Sequence, residues 1–263
     1  MRPPAVAGLF YPADPRELAA EIDDLLEAVA VPDDDVLAPA YVVPHAGYRY
    51  SGPTAAQVYA RLRAHAAEVD RVVVAGPSHR QPVRGCVVPG AQRWDTPLGG
   101  LPVDRRAESL ASAGYAAVDD VPHAAEHSLE VQLPFLRRAL GEVPVLPVVV
   151  GRAEPADVAD AVRAAVAPDP AGTVVLCSTD LSHYLPDERA RRHDRQTLRA
   201  VDDLAADAIG VSDACGVFAL RGLVEWARRD DLRARLLDYS TSAESTGDPT
   251  RVVGYAAIAF APD

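Results

Sequence analysis

Three short β-branched runs each lead to a histidine: Tyr41-Val-Val-Pro-His45, Arg71-Val-Val-Val-Ala-Gly-Pro-Ser-His79 and Val174-Val-Leu-Cys-Ser-Thr-Asp180-Leu-Ser-His183. Helical patterns separate these runs, and strands that alternate with helices assemble into a largely parallel sheet. Side chains just past the carboxyl ends of such strands collect in one crevice. The pattern predicts an α/β fold: a single domain over 1–263 with a central mixed, largely parallel sheet flanked by helices. It also predicts that histidines far apart in sequence meet in space. Imidazole is the commonest metal ligand and titrates near neutral pH, so their convergence points to a metal or catalytic site.

Composition narrows the function classes. A hydrophobic share of 49% with 24% charged residues is enough to bury a sizeable core, and no apolar stretch is long enough to span a bilayer. Residues 1–12 lack the long apolar centre of a signal peptide. Cys86, Cys177 and Cys215 are odd in number, widely spaced and form no C-x-x-C pair, so a reducing cytoplasm is the expected setting. A net charge of −12 opposes a nucleic-acid partner, which needs clustered Lys and Arg. No G-x-G-x-x-G follows a strand and no G-x-x-x-x-G-K-[ST] occurs, so no nucleotide cofactor is expected.

Further elements follow from spacing. Leu18, Ile22, Leu25, Leu26 and Val29 keep helical periodicity behind an Asp14-Pro15 start. Gly47 and Gly52 suit a tight turn, with Pro53 opening a helix. Residues 83–103 predict short antiparallel pieces, and 105–113 a helix. His127 and Glu130 fall at the start of another helix, three apart and on one face. Pro144 and Pro147 restrict a strand over 143–150 to an edge, an end or an irregular pairing. Helices over 186–208 and 213–229, a polar loop over 242–251 and a strand over 252–260 complete the chain.

The candidate chemistry has bland counterparts. His45 and His79 read as metal ligands or as loop histidines bonded to backbone, with Pro, Gly and Ser turn residues beside both strand ends favouring convergence. Asp180 and His183 read as a carboxylate orienting a general acid/base, or as a helix cap with a spare histidine. Ser182 lacks the G-x-S-x-G of a nucleophile elbow. His127 with Glu130 is either a crevice-lining acid/base couple or an exposed helical pair. His65 and His193 read as surface residues.

Five blocks in order, Pro44-His-Ala-Gly-Tyr-Arg-Tyr-Ser-Gly52, Gly76-Pro-Ser-His79, Glu126-His-Ser-Leu-Glu-Val-Gln-Leu-Pro134, Ser178-Thr-Asp-Leu-Ser-His183 and Gly254-Tyr-Ala-Ala257, resemble the Memo family nearly end to end. Its bacterial and archaeal branch is also called AmmeMemoRadiSam system protein B, after AMMECR-type and radical SAM proteins that the resemblance implies as partners. The family in turn resembles class III extradiol dioxygenases, in which two histidines and a glutamate hold Fe(II) and another histidine serves as acid/base. Carried over, His45 and His79 become metal ligands and His183 the acid/base, with Asp180 beside it. The animal Memo pattern has a cysteine in the loop before the last strand; counting back from Tyr255 puts Ser245 there, so the adjacent Glu244 is the expected third ligand. A two-His-one-carboxylate face leaves positions open on Fe(II) for substrate and dioxygen. The resemblance thus implies redox or ring-opening chemistry on a small molecule at a divalent metal. A binding or regulatory protein with a vestigial pocket is the alternative class, and metal-assisted hydrolysis a third.

Overall fold

A computed structural model describes residues 1–263. In chain order, helix α1 (Pro15–Glu27) precedes strand β1 (Ala40–Val43) and helix α2 (Tyr48–Ala64). Strand β2 (Arg71–Pro77) is followed by β3 (Cys86–Val88), the two-residue pieces β4 (Arg93–Trp94) and β5 (Leu101–Pro102), helix α3 (Arg106–Ser112) and β6 (Ala117–Val118). Then come α4 (Val121–Ala124), α5 (Gln132–Leu140), β7 (Val145–Val150), α6 (Pro155–Val166) and β8 (Thr173–Ser178). The chain closes with β9 (His183–Leu185), α7 (Asp187–Asp202), α8 (Val217–Arg229), β10 (Arg233–Thr241), α9 (Ala243–Thr246) and β11 (Val252–Ala261).

The strands lie in the order β10-β11-β1-β8-β2-β7-β3-β6, with β9 added along β11. The four central strands β1, β8, β2 and β7 are mutually parallel, while β11 runs antiparallel to β1 and β3 antiparallel to β7. Every residue of these four is buried except Arg71 at the mouth of β2, as a parallel sheet covered on both faces requires. Alternate residues serve opposite faces. Tyr41 and Val43 join Leu18, Ile22 and Leu26 of α1, Val58 of α2 and Phe135 of α5, whereas Ala40 and Val42 join the cluster that holds Val158 of α6, Val201 of α7 and Leu220 of α8. Each fully buried Val, Leu or Ile contributes roughly 1.5–3 kcal/mol to that arrangement.

The sequence expectations fail at two informative places and are narrowed at a third. Helix α2 begins at Tyr48, directly after Gly47, so Pro53 lies inside the helix and Gly52 is helical. Packing explains that glycine: a Cβ there would stand 2.9 Å from Cδ1 of Leu25 on α1. Strand β7 is interior, and of the edge, end or irregular pairing expected from its prolines, the end holds for Pro144 and the irregular pairing for Pro147. Pro144 O accepts from Val72 N on the β2 side and Val145 O accepts from Asp104 N on the other, so alternation turns Pro147 away from β2. On that flank β3 pairs only with Val149 and Val150, which leaves the proline with no ladder bond to lose. Finally, His127 and Glu130 belong to no helix, since α5 starts at Gln132.

The sheet sets the site. His45, His79 and Asp180 each stand two residues beyond the last residue of β1, β2 and β8, and these are neighbours in the order β1-β8-β2. No helix is long and apolar enough to cross a membrane.

Candidate metal site

His45 is buried, and its hydrogen bonds assign its tautomer. Its Nδ1 lies 2.9 Å from Ser178 Oγ. That hydroxyl donates its one proton to Ser128 O at 2.6 Å and accepts from Gln132 Nε2 at 2.8 Å. The remaining lone pair accepts from His45, so Nδ1 carries the proton and Nε2 keeps its lone pair. Burial, then the neighbouring His127 and His79, hold the His45 pKa well below the usual range, so the ring is neutral. A neutral imidazole with one nitrogen pinned and the other bare is the state a metal requires.

His79 is pinned by a different partner. Glu126, fully buried, accepts from His79 Nδ1 at 2.9 Å and from the backbone N–H groups of His79, His127 and Ser128. Burial alone would raise this carboxyl; the His79 side chain and those backbone donors instead hold it down at about 2. Glu126 is therefore an anion whose acceptor capacity is spent on orienting neighbours, and it leaves Nε2 of His79 uncommitted. His127 completes a triangle of rings, with centroids 4.5 Å from His79 and 5.4 Å from His45, while His45 and His79 are 5.2 Å apart. Burial lowers the His127 pKa to about 4. Its Nδ1, 3.3 Å from Glu126 Oε1, is out of hydrogen-bonding alignment and has no partner.

The third donor comes from the start of α8. Cys215 Sγ lies 3.2 Å from His45 Nε2, and ligand atoms of His45, His79 and Cys215 all fall within 4.8 Å of one another. Gly216 permits this approach, because a Cβ there would meet Thr179 at 2.8 Å, while its N–H bonds Thr179 Oγ1. Asp180 N donates to Cys215 Sγ and Cys215 N to Asp180 O, locking the helix start to the end of β8. Burial, then the Asp180 charge, pushes the thiol up to about 12, so without a cation it is an S–H facing the bare Nε2. A second cluster of donors, His79, Glu126 and His127, fits a metal less well because Glu126 already serves four donors.

Glu244 is not brought to the histidines. It is exposed on α9, where it pairs with Arg191 at 3.0 Å, and Ser245 is exposed beside it. Glu130, expected to share a helix face with His127, points elsewhere: it binds the backbone N–H groups of Ala5 and Val6, the Tyr11 hydroxyl and Arg2. That clamp fixes the segment before α1 and presses the Phe10 ring against His127, centroids 4.6 Å apart. His65 and His193 stay peripheral, pairing with Glu68 and Asp213.

Asp180 accepts from His45 N at 2.8 Å. Burial raises its pKa to about 6, against opposing hydrogen bonds and the nearby His183 and His79. His183 is partly exposed on β9, and its Nδ1 donates to Leu181 O at 2.8 Å, leaving Nε2 as the basic atom. Asp180, His127 and His183 line one cavity of about 510 Å³ together with Phe10, Tyr50 and Tyr255. Ser182 Oγ is buried without a partner, while its backbone N–H donates to Asp194 Oδ1 at 3.0 Å.

The family model for Memo-like proteins matches residues 2–259. The chain belongs to the Memo family. A MEMO1 family protein of Methanococcoides burtonii is 37% identical over 98% of this chain and 99% of its own length, and one of Aquifex aeolicus is 36% identical over 99% of both. The fold is similar to the crystal structure of uncharacterized protein JW3007 from Escherichia coli K12, with a TM-score of 0.56 at 13% identity, covering 84% of this chain and 99% of that one. Relatives from both archaea and bacteria thus match this chain over nearly its full length. Sequence reasoning missed two members of the site. Cys215 was visible only as an odd cysteine before Gly216, and Glu126 only as a residue inside a motif.

Proposed function

We propose that this Memo-family chain is a metal-dependent oxidoreductase of dioxygenase type that binds a divalent cation, Fe(II) foremost, through His45, His79 and Cys215. The observation that carries the reading is the pair of pinned imidazoles: Ser178 and Glu126 occupy the Nδ1 atoms, so both rings present bare nitrogens beside one thiol. Two nitrogens and a sulfur suit iron, zinc and copper by softness; a thiolate in place of the expected carboxylate leaves the resemblance to iron enzymes as the argument for iron. When bound, the cation supplies Lewis acidity and, if redox-active, electrons. The chain's own residues do the rest. The cavity holds a small molecule, His183 accepts or returns a proton at Nε2, and Phe10 screens His127 from water.

Metal analysis of protein purified anaerobically and reconstituted with Fe(II) tests this. Wild type retains stoichiometric metal, His45→Ala, His79→Ala and Cys215→Ala lose it, and Glu244→Ala keeps it. Oxygen uptake with a panel of small aromatics then separates His183→Ala, which retains metal and loses turnover. Absence of any bound divalent ion in the reconstituted wild type refutes the metal reading.

A further inference from the structure

The register of β9 against β11 pairs Leu185 with Val252 and His183 with Val253, so Tyr184 is the extra residue of a β-bulge. Its φ of +61° lies in the left-handed region, which tyrosine enters only at a cost in backbone strain and which a glycine would occupy freely. The ring is not hidden to compensate, being 63% exposed on the wall of the cavity that holds His183. Strain retained beside an exposed aromatic ring points to use rather than packing.

Above that ring sits Arg251, its guanidinium 5.1 Å from the ring centroid and without a carboxylate partner. Tyr50, on the same cavity, carries Arg49 in the same way at 4.9 Å. Contrast Arg191 over Tyr239, whose charge is answered by Asp187 and Glu244. In a chain of net charge −12, Arg251 is an unanswered positive charge on this cavity's wall, while Arg49 over Tyr50 lines the adjoining hollow. Within the cavity stand four aromatic rings, Phe10, Tyr50, Tyr184 and Tyr255, although the chain has only 4 Phe and 9 Tyr.

We propose that Tyr184 and Arg251 form a clamp selecting a small aromatic molecule with an anionic substituent, the ring against Tyr184 and the carboxylate or phosphate on the guanidinium. This rests on reading the cavity as the substrate site. Arg251 is preorganised for the task, because stacking on Tyr184 limits its rotamers while its N–H edge remains open to an oxyanion. The bulge supplies the rigid mount.

Calorimetric titration with 4-hydroxybenzoate, phenyl phosphate, cyclohexanecarboxylate and the neutral isostere 4-hydroxybenzamide tests the clamp, in metal-free and Fe(II)-loaded wild type. One or both aryl anions bind roughly tenfold or more tightly than the amide, and which one leads identifies the anion. Arg251→Gln removes that preference without altering the fold, since the side chain is exposed. Tyr184→Gly keeps the bulge and weakens the aryl anions more than it weakens cyclohexanecarboxylate. Equal binding of amide and anions, a preference that survives Arg251→Gln, equal binding of cyclohexanecarboxylate, or no binding by any probe overturns the proposal. A preference intact in metal-free protein that never takes up Fe(II) sinks the metal reading alone, whereas stoichiometric iron without anion preference sinks the clamp alone.

Discussion

Cys215 Sγ lies 3.2 Å from His45 Nε2, although 170 positions separate the two residues in the chain. With the other ring nitrogen occupied, the thiol proton faces the imidazole lone pair, and a cation entering between them must displace that proton. Metal affinity should therefore rise with pH, by about tenfold per unit while the thiol remains protonated. Competition titrations with a chelator between about pH 6 and 8, where the free thiol stays protonated, measure the slope. Cys215→Ser should flatten it and weaken binding by more than about 100-fold, beyond what loss of an outer partner costs.

Ser178→Ala should act on the metal without touching it. Loss of the hydroxyl frees the His45 tautomer and leaves Gln132 Nε2 short of one of its two acceptors. Affinity should fall by about 10–100-fold, and stability by about 1–3 kcal/mol from the buried groups left unpaired. Chemical denaturation of the metal-free variant separates the two effects; unchanged affinity would show that Ser178 does not hold the ring.

Glu130→Ala should destabilise the protein by about 3–5 kcal/mol, since it strands the buried Arg2 charge and frees the backbone N–H groups of Ala5 and Val6. It should also quicken proteolysis before α1 and loosen Phe10 from His127. A variant as stable as wild type would mean that the clamp contributes nothing net.

Acid should unfold the chain earlier than its composition suggests. Burial depresses the pKa of His45 well below 6.5 and of His123 and His127 to about 4. Each stays neutral when folded and takes up a proton on unfolding, so the stability is present above pH 6.5 and lost as pH falls toward 4. Asp180, raised to about 6, works the other way by one proton, leaving a net uptake of about two. Thermal denaturation of metal-free protein at pH 7 and pH 5, on the order of two units apart across that window, should show a falling Tm. His123→Leu should lessen the fall; its ring packs edge-on against Trp94 with neither nitrogen bonded.

The strand-end histidines were legible because a parallel sheet must end its buried runs in a crevice, and an apolar run with no alternation is visible in the letters. The same applied to β1, β2 and β8. Pro147 left three alternatives open because its cost depends on which neighbour reaches it, and only the shortness of β3 decides among them. Glu130 misled because its partners are backbone groups more than a hundred positions away. The third donor escaped for a related reason. Cys215 reaches His45 through the contact of Gly216 with Thr179, a tertiary approach with no local signature, whereas the loop holding Glu244 lies close in sequence to motifs that do have one. Glu126 was hidden in plain view, its role set by four donors that converge only in three dimensions.

His45, Asp180 and His79 leave three adjacent strands at the same two-residue offset, which makes the sheet a ruler for the site. A strand advances about 3.3 Å per residue and reverses its side-chain face at every step. One residue inserted into β1, β2 or β8 would therefore carry His45, His79 or Asp180, respectively, about 3.3 Å along the strand axis and turn it to the opposite face. The outer loops can therefore lengthen without disturbing this alignment, whereas the count of residues within those three strands cannot change without breaking it.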